Sequence, residues 1–266
     1  MEDRFVPQNS GVEGASRFQP KANISYTPSN RLPVTLYASY GRGISSQDAR
    51  GVVQRPDAPK VSTTDFYQLG TAHHLKRVSL SSDVFWIDRS NEQVYIPDDG
   101  SFEFRGPSRS YGWEGKASAQ LAHNLSWNGG FTQVSNAFYR GTLPRTYVDS
   151  APHSVANSGL TLSDWRGFSG SLRYRHISGY ILDGTDAAVL LASGLDVVDL
   201  SMSKRIRHGM DLNFAVDNLN NKRYWETQNY FESRVSPDDP AIARLHGTPG
   251  FPIGVTVGMT FRFGEK

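Results

Sequence analysis

The sequence contains no cysteine, which excludes disulfide frameworks, thiolate metal sites and cysteine nucleophiles together. It also lacks any run approaching the roughly 18 apolar residues of a membrane helix, and its mean hydropathy is −0.48. A helical membrane protein is thereby excluded, whereas a β-barrel, half of whose strand positions face water, is not. An excess of one charge is missing too. Lys and Arg total 28 against 26 Asp and Glu, spread throughout, so there is no basic stripe of the kind nucleic acid requires. Met1, Glu2, Asp3 and Arg4 lack the apolar core of a signal peptide.

What the sequence has is alternation. From Pro252 to Gly264, Ile253, Val255, Val257, Met259, Phe261 and Phe263 fall on one side of an extended chain; Gly254, Thr256, Gly258, Thr260, Arg262 and Gly264 fall on the other. An apolar face of about 11 residues ending in aromatics matches a strand that crosses a bilayer at a tilt. The same period recurs. Strands are expected near 17–27, 33–42, 63–73, 76–88, 109–122, 125–138, 153–163, 167–180, 195–205 and 209–219, about eleven with the terminal one. Residues 1–16 show no period and read as a loop.

Connections sort by length. His74-Leu75, His123-Asn124, Asp164-Trp165-Arg166 and Arg207-His208-Gly209 are short turns; the connections near 89–108, 139–152, 181–194 and 220–251 are long and polar. Short turns on one side and long loops on the other are the layout of an outer-membrane barrel. A soluble sandwich, such as a lectin, has no reason to sort its loops this way. Facing follows the same logic. Tyr111, Trp113, Ala117, Ala119 and Leu121 point to lipid while Glu114, Lys116, Ser118 and Gln120 point inward; Met210, Leu212, Phe214 and Val216 oppose Asp211, Asn213 and Asp217. Charges on a lipid face would cost about 2–4 kcal/mol each near the midplane, so their confinement to one face argues for hydrocarbon on the other. The expected fold is therefore all-β: an antiparallel, up-and-down transmembrane barrel wall. A self-contained barrel of about twelve strands, acting as a porin or an outer-membrane enzyme, is the alternative. Asp186 to Ser193 is the one segment read as helical, a turn or two inside a long loop.

Val216-Asp217-Asn218-Leu219-Asn220-Asn221-Lys222-Arg223-Tyr224-Trp225-Glu226-Thr227 resembles the motif near the penultimate strand of TonB-dependent outer-membrane receptors. Pro249-Gly250-Phe251-Pro252 with the terminal strand resembles their carboxyl-terminal signature, and Leu36 to Gly43, Phe66 to Gly70, Tyr180 to Gly184 and Val197 to Leu200 resemble their barrel-strand phrases in the family's order. The resemblance implies a 22-stranded barrel, plugged by an amino-terminal domain and opened by energy passed from the inner membrane through TonB. It implies uptake of ferric siderophores, cobalamin or saccharides across the outer membrane of a Gram-negative-type bacterium. On this reading residues 1–266 are the carboxyl-terminal part of such a barrel, with plug and early strands absent, and the chain is neither an enzyme nor a holder of a cofactor. Its partners are outer-membrane lipid, the TonB complex and plug through the missing part, the barrel assembly machinery, and a small ligand such as a ferric chelate. Gly264, Glu265 and Lys266 after Phe263 depart from the family's aromatic ending.

Candidate sites follow. Tyr224, Trp225, Tyr230 and Phe231, in a long outer loop, suit capture of a flat, partly apolar ligand; an aromatic rim packed on neighbouring loops is the plainer alternative. Lys116, Arg173, Arg175 and Arg262 form a candidate lumen basic cluster for an anionic chelate or the plug. Pairing with Glu114, Asp211 and Asp217 along the wall is the preferred alternative. Val257, Met259, Phe261 and Phe263 form the expected carboxyl-terminal assembly signal. His73, His74 and His123 read as turn residues and not as metal ligands. Asp149, His153 and Ser154 lack a nucleophile elbow or oxyanion site, which argues against a hydrolase triad.

Overall fold

The computed structural model describes residues 10–12, 14–29, 33–48, 52, 57, 59–96, 101–183, 190–236 and 238–263. Fifteen strands follow in chain order: β1 (Lys21–Tyr26), β2 (Val34–Ser46), β3 (Val61–His74), β4 (Val78–Ile96), β5 (Ser101–Ala122), β6 (Leu125–Tyr139), β7 (Ser154–Trp165), β8 (Phe168–Ile177), β9 (Tyr180–Ile181), β10 (Leu191–Ala192), β11 (Leu195–Arg207), β12 (Met210–Asp217), β13 (Trp225–Ser233), β14 (Ile242–Pro249) and β15 (Gly254–Phe261). Eleven of them make one antiparallel sheet in the order β1-β2-β3-β4-β5-β6-β7-β8-β11-β12-β15. The eleven expected wall strands are thus present. Among the described residues the wall is not closed, since β1 pairs only with β2 and β15 only with β12. No second layer of strands covers it among the described residues. The remaining strands form two ribbons, β9–β10 and β13–β14.

The two faces of the wall follow the residue period. Trp127, Leu160, Leu172, Leu200, Val216 and Val255 are successive cross-strand partners from β6 to β15. One residue along, the opposite face carries Ser126, Thr161, Ser171, Ser201, Ala215 and Thr256 in the same register. In a soluble sheet the apolar row would be the buried one. Here much of the apolar row stands open, although Val216 is buried. On the apolar side Leu69 is 61% exposed and Val257 66%, whereas on the polar side Asp83 is 8% exposed and Asp211 7%.

The apolar face also has a profile along the strands. Ala38, Leu69, Val84 and Trp113 form one cross-strand row, followed toward the long connections by Tyr40, Tyr67, Trp86 and Tyr111, and then by Arg42, Asp65, Asp88 and Arg109. The aromatic rings pair at 5.0 Å (Tyr40 with Tyr67) and 5.1 Å (Trp86 with Tyr111). The charges in the last row neutralise one another, with Arg42 Nε 2.8 Å from Asp65 and Arg109 Nε 2.7 Å from Asp88. Hydrocarbon-like, then amphipathic aromatic, then paired charge is the gradient that a bilayer presents on moving from its core to its headgroups.

The turns explain why one end stays short. At Gly209 φ is 72°, and an added Cβ would lie 2.8 Å from the carbonyl oxygen of Arg262, so the β11–β12 turn admits only glycine without displacement. Three expectations need correction at the other end. Residues 89–108 are mostly strand, because β4 and β5 continue as a tall hairpin beyond a bulge at Arg89–Gln93. The connection at 220–251 carries the β13–β14 ribbon, whose mixed Glu, Gln, Asn and aromatic residues hide the period-2 signal. Of the segment read as helical, residues 190–193 are described and are not helical: Leu191 and Ala192 are strand, paired with Ile181 and Tyr180, and the backbone ladder overrides local preference. Residues 186–189 and 264–266 lie outside the described residues.

Candidate ligand-capture site at the long-loop end

The long-loop end of β8, β11 and β12 carries a buried apolar cluster, Leu195, Val197 and Tyr224, with Ile177 packed against it. Amide side chains frame it. Asn218, at φ 52° just past β12 and 2% exposed, donates Nδ2 to the carbonyls of Lys222 and Phe251, both at 2.9 Å, and accepts the Lys222 N–H at 2.9 Å. Its own N–H goes to Asp199 at 3.1 Å. One side chain therefore ties the start of the long connection to its end. Asn220 ties it sideways, donating to the Asp196 carbonyl at 2.9 Å and accepting the Val198 N–H at 3.2 Å.

Tyr224 belongs to this cluster and not to a ligand surface, which corrects its placement among the exposed aromatics. Its ring lies over Gly250, where a Cβ would run into it, and its hydroxyl donates to Glu226 at 2.8 Å. Burial, and then that hydrogen bond, raise its pKa above the ordinary tyrosine value. The other three aromatics lie on β13. Trp225 and Tyr230 are exposed; Phe231 stacks on His246 of β14 with centroids 3.9 Å apart and planes 7° apart. Successive positions alternate faces, so Tyr230 shares a face with Gln228 while Phe231 faces the opposite way. The ribbon thus presents two aromatic surfaces and not one patch.

The four lumen-facing cations are also divided. Lys116 on β5 pairs with Glu114; Arg173 and Arg175 on β8 share Asp199 at 3.1 and 3.3 Å; Arg262 beyond β15 meets Asp211 at 2.6 Å. Each of the four has a carboxylate partner along the wall: Glu114 and Asp211 as expected, and Asp199, which is not among the expected partners. Elsewhere on the polar face Asp83 accepts from Tyr37 at 3.0 Å and Gln68 at 2.8 Å. Val257, Met259 and Phe261 stand exposed on the apolar side of β15, with Phe263 just beyond its end.

Other candidates do not converge. Asp149 pairs with Arg105 at 3.6 Å and His153 bonds the Val134 carbonyl at 2.8 Å. Ser154 instead lies 3.4 Å from His176 Nε2, whose Nδ1 is 2.8 Å from Asp196. That relay has the order of a hydrolase triad. However, Asp196 also holds the Tyr174 hydroxyl at 2.6 Å, and the Ser154 N–H that would serve an oxyanion is taken by Ser178 Oγ at 2.9 Å. Among the described residues no group of three or more His, Cys, Asp or Glu is placed to hold a metal. At the tall β4–β5 side, burial pushes the Tyr139 hydroxyl up to about 12, with the carboxylates of Glu92 and Asp149 adding to it.

Residues 3–219 match the family model described as TonB dependent receptor-like, beta-barrel. The chain belongs to the TonB-dependent receptor β-barrel family. Members of this family are outer-membrane transport receptors of Gram-negative bacteria, not enzymes. Solved structures of similar fold include the copper transporter OprC (17% identity, TM-score 0.69, covering 91% of this chain and 39% of OprC). Another is the ferric-catecholate import receptor Fiu from E. coli K12 (19% identity, TM-score 0.67, 91% and 34%). A third is a mutant ferric enterobactin receptor PfeA from Pseudomonas aeruginosa in complex with enterobactin (17% identity, TM-score 0.65, 91% and 40%). This chain therefore spans well under half the length of each. No curated protein matches its sequence.

Proposed function

We propose that the chain forms the carboxyl-terminal wall and outer loops of a TonB-dependent outer-membrane receptor that takes up a scarce nutrient, a ferric siderophore being the leading class. The observation that carries this reading is the reversed wall, with carboxylates sheltered on one face and Leu, Val and Phe open on the other. Such a wall is stable only with hydrocarbon on its apolar side. In support of iron-chelate uptake, Fiu and PfeA are named for ferric-catecholate import and ferric enterobactin. Trp225, Tyr230 and Phe231 supply flat apolar contacts for a ligand arriving from outside, and Arg173 and Arg175, which share one carboxylate, leave one positive charge in local excess at β8 for an anionic chelate. Val257, Met259, Phe261 and Phe263 supply the terminal apolar stripe for the assembly machinery. The plug and the TonB-contacting segment lie in the rest of the receptor, so this chain's share of the mechanism is passive.

The test is uptake of radiolabelled ferric enterobactin by cells carrying the full-length receptor or residues 1–266 alone. We expect TonB-dependent uptake with the first and none with the second. Uptake by residues 1–266 alone, or folding of that chain in buffer without detergent, would overturn the reading.

A further inference from the structure

The two ribbons arise from different connections, β9–β10 from the one after β8 and β13–β14 from the one after β12, and no backbone ladder joins them. One side chain does. Gln228 of β13, 4% exposed, accepts the Ser193 N–H on Oε1 at 3.1 Å and donates Nε2–H to the Ser193 carbonyl at 2.9 Å. A carboxamide that meets both backbone groups of one residue reproduces the doubly bonded pairing of two antiparallel strand residues. At neutral pH the Asn and Gln carboxamides carry a donor and an acceptor side by side in this way, where an ionised carboxylate only accepts, and Gln has the longer reach. Ser193 follows directly on β10, whose Ala192 is buried, so the contact is anchored from both sides.

We propose that Gln228 is a positioning residue that locks the two long-loop ribbons into one body. The lock holds Tyr230, two residues further along the same face, and the Phe231–His246 stack in a single orientation before any ligand arrives. The physical benefit is preorganisation, since ordering a loop on binding lowers affinity. The lock itself does not depend on what the receptor imports. Only its effect on ligand capture rests on the function proposed above.

No cysteine of residues 1–266 competes for the label, and any cysteine in the rest of the receptor is first replaced by serine. Nitroxide labels are placed on cysteines introduced at Leu191 and Leu245, both exposed, in the full-length receptor in lipid, and the distance between them is read by pulsed dipolar spectroscopy. We expect one narrow distance in the parent and a broad or two-component distribution in Gln228→Ala, with the barrel's heat resistance in SDS unchanged. Gln228→Glu keeps the acceptor for the Ser193 N–H but sets a carboxylate against the Ser193 carbonyl. It should be broad at pH 8 and narrow again below the ordinary glutamate pKa of about 4.3, where the introduced carboxyl regains a donor. A side chain that merely filled space would show no such recovery. A parental distribution in Gln228→Ala overturns the proposal; if that variant fails to assemble, a pH-independent distribution in Gln228→Glu does so alone. Ferric enterobactin uptake is measured alongside, with KM expected to rise several-fold in Gln228→Ala at little cost in maximal rate. Absence of uptake in the parent would count against the function reading while leaving the distance result intact.

Discussion

The wall and the corner around Tyr224 are built from one chain under opposite solvent rules. Along the wall, apolar side chains stand open and polar ones shelter one another, so stability comes from a medium outside the protein. In the corner, Leu195, Val197 and Tyr224 bury one another, and the buried amides Asn218 and Gln228 hydrogen-bond the backbone of the flanking connections. That is the arrangement of a water-soluble core. The boundary between the two rules is the row Arg42, Asp65, Asp88 and Arg109 above the aromatic row, where charge first becomes affordable on the apolar side.

The sharpest way to break this contrast is to place charge on each face. Leu69→Arg or Val84→Arg should cost about 2–4 kcal/mol if the position lies near the bilayer midplane, and should abolish heat-resistant barrels in SDS. Gln68→Arg, one residue away on the polar face, should assemble. Equal damage at 68 and 69 would remove the distinction between the faces.

In the corner, Asn218→Ala removes three part-buried hydrogen bonds to the Lys222 and Phe251 backbone, at about 0.5–1.5 kcal/mol for each bond lost. Hydrogen exchange should quicken at 218–224 and 250–252 and stay unchanged in β3 and β4. Asn218→Gly, which accepts the positive φ freely, should show nearly the same local opening, because the loss lies in hydrogen bonds and not in backbone strain.

A comparable effect is expected from Arg262→Ala. Its guanidinium is about half exposed but Asp211 is sheltered, so leaving that carboxylate without its cation should lower stability by about 1–3 kcal/mol in a denaturant titration of the reconstituted receptor. The smallest is a pH effect on Tyr224. Its folded pKa is raised, so the stability it contributes is complete below the unfolded value of 10.0 and is lost as pH rises past it. Exchange in the corner should accelerate above that pH, and Tyr224→Phe should remove the dependence.

The wall was legible in the sequence because a period of two is a local property. Val255, Val257 and Met259 announce their face whatever pairs with them, and turn length sorted the two ends. The corner was not legible, for a physical reason. Gln228 meets Ser193 and Asn218 meets Phe251, pairs 35 and 33 residues apart, and an amide in a polar loop has no pattern that tells a long-range clamp from a solvated residue. The run Asn218, Asn220 and Asn221 was the available signal, since neighbouring amides at a strand end commonly serve backbone groups. Tyr224 was misplaced because its partner, Gly250, lies at the far end of the same connection. Pairing of the polar-face arginines with wall carboxylates is readable from composition, but the partner Asp199 is not, since only cross-strand register sets Arg173 opposite Asp199.

The central claim is that alternate residues of the wall meet lipid. It is tested most directly by a fluorophore on single cysteines introduced at successive positions of β15, from Val255 to Thr260, in the full-length receptor reconstituted with brominated lipid. The account predicts strong quenching at Val255, Val257 and Met259 and little at Thr256, Gly258 and Thr260. Quenching without alternation, or none at the three apolar positions, would contradict it.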